Sequence, residues 1–272
     1  MHYDAHVHSA ASPDSELNPE DAILTLKSKG LGVVFTEHVD FVTPKTGRDM
    51  SAKDFPMAVN DFICDFDIYP SQYQALRAKH EGSVLLALEI GLTAAYLPLN
   101  IQTAAGGYDF ILGSIHFVDG HDIYSTASSM EAEYFCRRYL TYAREMVEIS
   151  GFFDSLAHID YAARYNDKIN RLFSYNNFPK EFDALLGLLA ERGLSMEINT
   201  SRLGDANAVK QLLPIYKRFK TLGGRYVTIG SDAHNKWSLG RNYKNALGLA
   251  SMAGLTPVYY KERERHICRG DY

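Results

Sequence analysis

The chain has 272 residues, 46% of them hydrophobic and 22% charged, a composition that excludes a disordered protein and suits one α/β barrel. Its formal net charge is -5, with a pI of about 6.1, which disfavours a nucleic-acid binder working through a broad basic face. Three scattered cysteines (Cys64, Cys136 and Cys268) form no CxxC pair and fit a reducing compartment.

The chain opens on MHYDAHVHSAASPDSE, which lacks the basic-then-apolar run of a signal peptide. No apolar stretch reaches the ~18 residues of a membrane span, so no membrane partner and a cytoplasmic location are expected. Tyr3–Val7 reads as a strand. Asn18-Pro19-Glu20-Asp21 reads as a helix start: Asn caps, Pro suits the first turn, and the acids suit the helix dipole. Lys27–Gly30 ends that helix, and Gly32–Thr36 is the next strand. Helical material is expected between Ala52 and Glu81, broken at Pro56 and Pro70. Val84–Ile90 (VLLALEI) has the unbroken apolarity of a strand buried on both faces. Asp109–Ser114, Phe152–Ala157, Leu194–Ile198 and Arg225–Gly230 are further strands. Met130–Ile149, Pro179–Arg192, Asn207–Leu222 and Leu239–Ala253 are helices. The tail, KERERHICRGDY, reads as polar and poorly structured. About seven β-then-α units, with no linker or composition break, predict one domain over residues 1–272 and a parallel sheet closed into a barrel.

The polar residues fall in a pattern. Almost every strand ends in a residue type that binds metal: His6 and His8, His38, Glu89, His116, His158, then Asp232 and His234. In a β/α barrel those ends form the face where active sites sit. His6 and His8, two apart on a strand, point the same way and can grip one ion. Asp232 and His234 form a second such clamp. Glu89 lies in an apolar strand, where an unpaired carboxylate is expensive, and its two oxygens can bridge two ions. Asp14, in the turn after the first strand, joins the set. The competing reading of each is an ordinary core histidine or turn aspartate; their joint placement argues for metal. Nine candidate ligands exceed the three that one catalytic ion needs and suit two or three ions. Closely spaced divalent ions favour phosphoryl chemistry, because they activate water and neutralise phosphate oxygens. His2, His80, His121 and His266 lack this placement.

HxH near the start, TEH after the second strand, the Glu after VLLAL, SIH, AHID, EIN and SDAH, in this order, resemble the PHP (polymerase and histidinol phosphatase) family over nearly the whole chain. GSIHFVDG, AHIDYAARY and LSMEINTS look most like its stand-alone histidinol-phosphate phosphatase branch. The resemblance implies a distorted (β/α)7, TIM-like barrel with a trinuclear centre of zinc, manganese or iron. One ion would take His6, His8, Glu89 and Asp232, a second Glu89, His116 and His158, and a third Asp14, His38 and His234. Family members often carry histidine where this chain has Asp14, so the third ion is expected to be a harder one. The implied reaction is hydrolysis of L-histidinol phosphate, a step of histidine biosynthesis, by a metal-bridging hydroxide.

Asp160, two residues past His158, is a candidate to protonate the leaving oxygen, or else a partner of a metal histidine. Arg202 is a candidate to hold a phosphate oxygen. Asp40, Phe41, Phe117, Asp119 and Tyr161 stand beside the ligands and are suited to a small phosphate monoester carrying an imidazole and an ammonium group. Three other readings compete. An amidohydrolase usually places His at the end of strand six, where this chain has Glu197-Ile198-Asn199. A nuclease or phosphodiesterase of the same family would want a basic run with interleaved aromatics. A structural zinc site would use cysteine, and no Cys lies in the cluster.

Overall fold

The computed structural model describes residues 1–41, 63–65, 69–127 and 130–270. In chain order its strands are β1 (His2–Val7), β2 (Leu31–Val39), β3 (Val84–Gly91), β4 (Phe110–Ser114), β5 (Phe117–Val118), β6 (His121–Asp122), β7 (Ser155–Leu156), β8 (Ser195–Asn199) and β9 (Tyr226–Gly230). Two more, β10 (Thr256–Lys261) and β11 (Glu264–Ile267), follow. The main sheet runs β1-β2-β3-β4-β7-β8-β9-β10-β11 and is parallel until its final pair. β5 and β6 form a separate antiparallel hairpin.

This is the α/β architecture expected, and the predicted helices that fall within the described residues are present, with Leu97–Ala104 an additional one. α1 (Pro19–Ser28) starts on Asn18, whose side chain accepts from Asp21 N, with Pro in the first turn. α2 (Tyr69–Lys79) contains Pro70, which therefore sits in the first turn and not at a break. The rest of the helical material expected from Ala52, with its break at Pro56, lies outside the described residues except at 63–65. α3 (Leu97–Ala104), α4 (Ala132–Ile149), α5 (Pro179–Glu191), α6 (Ala206–Thr221) and α7 (Tyr243–Ala253) complete the larger helices. Among the described residues none is long and apolar enough to cross a membrane. β3 is buried along its whole length, as a strand covered on both faces must be.

Two apolar layers result. A large cluster fills the space between strands and helices. A smaller one, including Tyr3, Ala5, Leu85, Ala87, Phe110 and Leu112, lies on the inner face of the strands. The hydrogen-bonded ladder continues from β9 into β10, yet the segment after β9 returns to β1. Asp232 N donates to His6 O at 2.7 Å, and His8 N donates to Ala233 O at 3.0 Å. The C-terminal ends of the strands are thereby gathered together.

Residues 261–267 correct the reading of the tail, whose residues 271 and 272 lie outside the described residues. Lys261 pairs with Glu264 across a two-residue turn, Glu262 and Arg263, whose φ values are 54° and 66°. That is the geometry of a type I′ hairpin, usually announced by Asn-Gly, and its absence from the sequence hid the turn. The hairpin is held from outside. Arg265 stacks on Tyr226 at 4.3 Å, and Tyr260 and Val258 join the inner cluster.

Candidate metal centre

β1 slips register against β2 between Asp4 and Val7. Ala5 packs with Leu85 and Ala87 of β3, and His6, the very next residue, meets Glu89 on that same face of β3. Asp4 instead accepts from Ser231 N at 2.7 Å and Gly240 N at 2.9 Å. The period-two alternation running back from His8 and His6 to His2 therefore fails across the slip, and His2 lies near Gly270 O at the opposite end.

Glu89 Oε2 lies 3.1 Å from His6 Nε2, 3.5 Å from His8 Nε2 and 3.0 Å from His38 Nδ1. Glu89 Oε1 lies 2.8 Å from His158 Nε2 and 3.2 Å from His116 Nε2. Asp232 Oδ1 lies 3.6 Å from His6 Nε2 and 3.4 Å from His8 Nε2. At the mouth, Asp14 Oδ2 lies 3.4 Å from His38 Nε2 and 3.1 Å from His234 Nε2, and those two nitrogens are 3.3 Å apart. Four donors around an ion at ~2.0 Å in a tetrahedron stand ~3.3 Å from one another. The donors thus sit at ligand-to-ligand spacing in three overlapping groups, with Glu89 between them. His6 Nε2, His8 Nε2, His38 Nδ1 and Glu89 Oε2 are all buried without a hydrogen bond, which is costly unless a cation is the partner they fit.

The opposite edges of two rings are held by carboxylates. His6 Nδ1 is 2.7 Å from Glu197 Oε1, and His116 Nδ1 is 2.9 Å from Asp40 Oδ2. A carboxylate at Nδ1 keeps the proton there and turns the Nε2 lone pair outward, as metal-binding histidines require. Electrostatics follow the geometry. Burial works to raise the Glu89 pKa, but His6, His116 and His38 overcome it and hold the carboxyl well below its usual range. Burial, together with the His38 and His234 rings, holds His8 neutral by pushing its pKa well down. Burial likewise works against a charged His6, but Glu197, Glu89 and Asp232 draw a proton to it, which a bound cation would displace.

Two glycines make room. A Cβ on Gly230 would stand 2.3 Å from His6 Cβ and 2.5 Å from Glu197 Oε1, and one on Gly91 would stand 1.7 Å from Asp40 Oδ1. Asp232 adopts a left-handed φ of 57°, a conformation that Asp tolerates better than most residues.

A cavity of about 510 Å³ opens over the donors. Of the residues expected to meet substrate, Phe117, Tyr161 and Asp40 line it, and Asp40 spends its carboxylate on His116. Phe41 is buried in the large cluster near Tyr96, outside the lining, because its ring is taken up by core packing. Asp119 is drawn off by Arg138, at 2.6 Å. Asp160 and Arg202 are absent from the lining too: Arg202 Nη1 donates to Asp160 Oδ2 at 2.7 Å, and Nη2 donates to Asn170 Oδ1 at 2.6 Å. The pair braces the start of the short helical turn Tyr161–Arg164, with Asp160 buried and Arg202 half-buried.

The cavity holds two arginines that the sequence reading passed over. Arg164 donates from Nη1 to Asp232 Oδ2 at 2.7 Å, while its buried Nε and Nη2 have no partner. Arg241 donates from Nε and Nη2 to Ser231 O. Glu197 was also passed over as a site residue. Its signal was a lone carboxylate inside an apolar strand, the same signal that singled out Glu89. Arg164 had a weaker one, its place six residues past His158 in AHIDYAAR.

A family model described as PHP domain matches residues 4–201, which hold seven of the nine donors and stop short of Asp232 and His234. The chain is 37% identical to a probable histidinol-phosphatase of Clostridium acetobutylicum, covering 97% of this chain and 98% of that one. It is 26% identical to a histidinol-phosphatase of Lactococcus lactis, over 85% of this chain and 83% of the relative. Its fold resembles the crystal structure of a Lactococcus lactis histidinol phosphate phosphatase complexed with zinc, L-histidinol and phosphate. The TM-score is 0.84 at 24% identity, with 97% of this chain and 98% of that chain covered.

Proposed function

The chain belongs to the PHP domain family, and from that membership and the strand-end geometry we propose that it is a metal-dependent phosphomonoesterase. It hydrolyses L-histidinol phosphate to L-histidinol and phosphate, a step of histidine biosynthesis. The observation that carries this reading is the convergence of histidine and carboxylate donors around Glu89, with Asp14 joining His38 and His234 at the mouth, beneath a cavity edged by two guanidinium groups.

Two or three divalent ions, zinc, manganese or iron, would be held there. His6, His8, Glu89 and Asp232 would hold one, Glu89, His116 and His158 a second, and Asp14, His38 and His234 a third. When bound, such ions supply a water of lowered pKa and neutralise phosphate oxygens. The protein's own groups do the rest. Arg164, a lining residue beside Asp232 with two N–H groups that make no hydrogen bond, is suited to an oxyanion, and Arg241 adds positive charge to the same lining. Tyr161, Phe117, Tyr124 and Tyr165 offer ring faces and edges to an imidazole. Residues 1–272 act as one domain in this reading: the C-terminal hairpin packs Tyr260 and Val258 into the same inner cluster as Tyr3 and Ala5.

Steady-state kinetics on histidinol phosphate, serine phosphate, glycerol phosphate and a dinucleotide test the proposal. The expected outcome is a kcat/KM for histidinol phosphate at least about tenfold above each other substrate, a transition-state preference of ~1.4 kcal/mol. Equal monoester rates would leave a general phosphatase, and a preferred diester would move the chain to a nuclease reading.

A further inference from the structure

Glu37 is buried one residue before His38 on β2, and nothing in the reaction proposed above uses it. Its carboxylate accepts from Ser9 N at 3.2 and 3.1 Å, from Ser9 Oγ at 2.5 Å and from Ser12 Oγ at 2.5 Å. The Tyr73 hydroxyl closes on Ser9 Oγ from α2. Ser9 and Ser12 belong to the loop that follows β1 and carries Asp14 to His38 and His234. One carboxylate therefore anchors that loop at two places.

Ser12 also faces the donors. Its hydroxyl proton is given to Glu37, so toward other groups its oxygen acts only as an acceptor. It accepts from His38 N at 3.0 Å, and it stands 3.5 Å from His8 Nδ1, a long contact. An acceptor at that edge favours the proton on Nδ1 and leaves the lone pair on Nε2, the atom turned to Glu89 and Asp232. His6 receives the same service directly from Glu197, and His116 from Asp40. For His8 the carboxylate is one serine away.

We propose that Glu37 is a positioning residue of the centre. Acting through Ser12, it orients His8 and holds the loop that brings Asp14 to His38 and His234. The inference rests on the reading that these donors bind divalent ions. It places the control of two donor groups in a residue that touches no ion.

The test compares Glu37→Gln, Ser12→Ala, the double variant and Ser12→Thr with the parent protein. Zn(II) affinity and stoichiometry are measured by competition with a chromogenic chelator, the melting temperature of the zinc-stripped protein reports the fold, and kcat and KM are taken on histidinol phosphate. Glu37→Gln and Ser12→Ala should each weaken zinc binding about 10- to 100-fold. The double variant should be no worse than Glu37→Gln alone, because Ser12 acts through that carboxylate. Ser12→Thr, which keeps the hydroxyl, should recover most of the affinity, and kcat should fall more than KM rises. Affinity unchanged in Glu37→Gln, losses that add in the double variant, or a lower melting temperature with zinc affinity intact would each overturn the proposal. If Glu37→Gln does not fold, Ser12→Ala with unchanged zinc affinity overturns it alone. A parent protein that takes up no zinc refutes the functional reading instead.

Discussion

At the scale of single residues, the site depends on what each side chain is already bound to. Arg202 and Asp160 carry the right chemistry for phosphate binding and proton donation, but each is the other's partner, and neither faces the cavity. Arg164 is bound to Asp232 by one nitrogen only and keeps two in reserve. The two arginines should therefore respond differently to the same change. Arg164→Lys keeps the charge and loses the fork, so KM should rise about tenfold or more, ~1.4 kcal/mol of binding. Arg202→Lys should cost stability, about 1.5–3 kcal/mol for the charge-assisted bonds lost, with KM changed little. Kinetics and urea unfolding on the two variants separate the roles, and a large KM effect confined to Arg202→Lys would reverse the assignment.

At the scale of elements, the C-terminal hairpin is fastened to the rest of the sheet by ion pairs as well as by rings. Arg263 reaches Asp154 at 2.7 and 3.0 Å. Burial raises the Asp154 pKa above its ordinary value, and Arg263 works against that rise. A carboxyl with a raised folded-state pKa binds its proton more tightly when folded. Its contribution to stability is therefore greatest at low pH and is lost as pH climbs through the folded value. Arg263→Ala removes the opposing charge, pushes the pKa further up and leaves a buried carboxylate at neutral pH. The expected loss is about 2 kcal/mol at neutral pH and smaller at an acidic pH, where Asp154 takes up a proton. Urea unfolding at both pH values checks this, and a loss that grows on acidification would contradict it. α1 and α4 carry local caps from Asn18 and Glu131 and are also tied to neighbouring elements by ion pairs, Glu20 with Lys79 and Arg137 with Glu181.

At the scale of the whole molecule, the donors tie together strands that are far apart in the chain: His6 lies 191 residues from Glu197, and His38 lies 196 from His234. Ions held at such a junction stabilise only the folded state. Each ion present at ~100 times its dissociation constant adds about 2.7 kcal/mol. Stripping the protein with a chelator should lower the melting temperature by about 5 °C or more, and added zinc or manganese should restore it. A melting temperature indifferent to chelation would argue that the donors hold no cation.

The sequence by itself determined the alternation of strands and helices, since apolar runs, caps and terminating glycines are local signals. It also determined which residue types crowd the strand ends, because a buried His or Glu in an apolar strand stands out wherever the chain folds. It carried the order of motifs that points to the PHP family. Tertiary structure alone decided the rest. The slip in β1 that sets Ala5 and His6 on one face is a property of the β1–β2 pairing and leaves no mark in either strand. The hairpin at 256–267 forms because Tyr226, Tyr3 and Asp154 receive it from distant elements, overriding a turn of Glu and Arg with poor local propensity. Arg164 rather than Arg202 faces the cavity, and Glu37 reaches His8 through Ser12, for the same reason: a polar side chain's role is fixed by the partners that packing leaves to it.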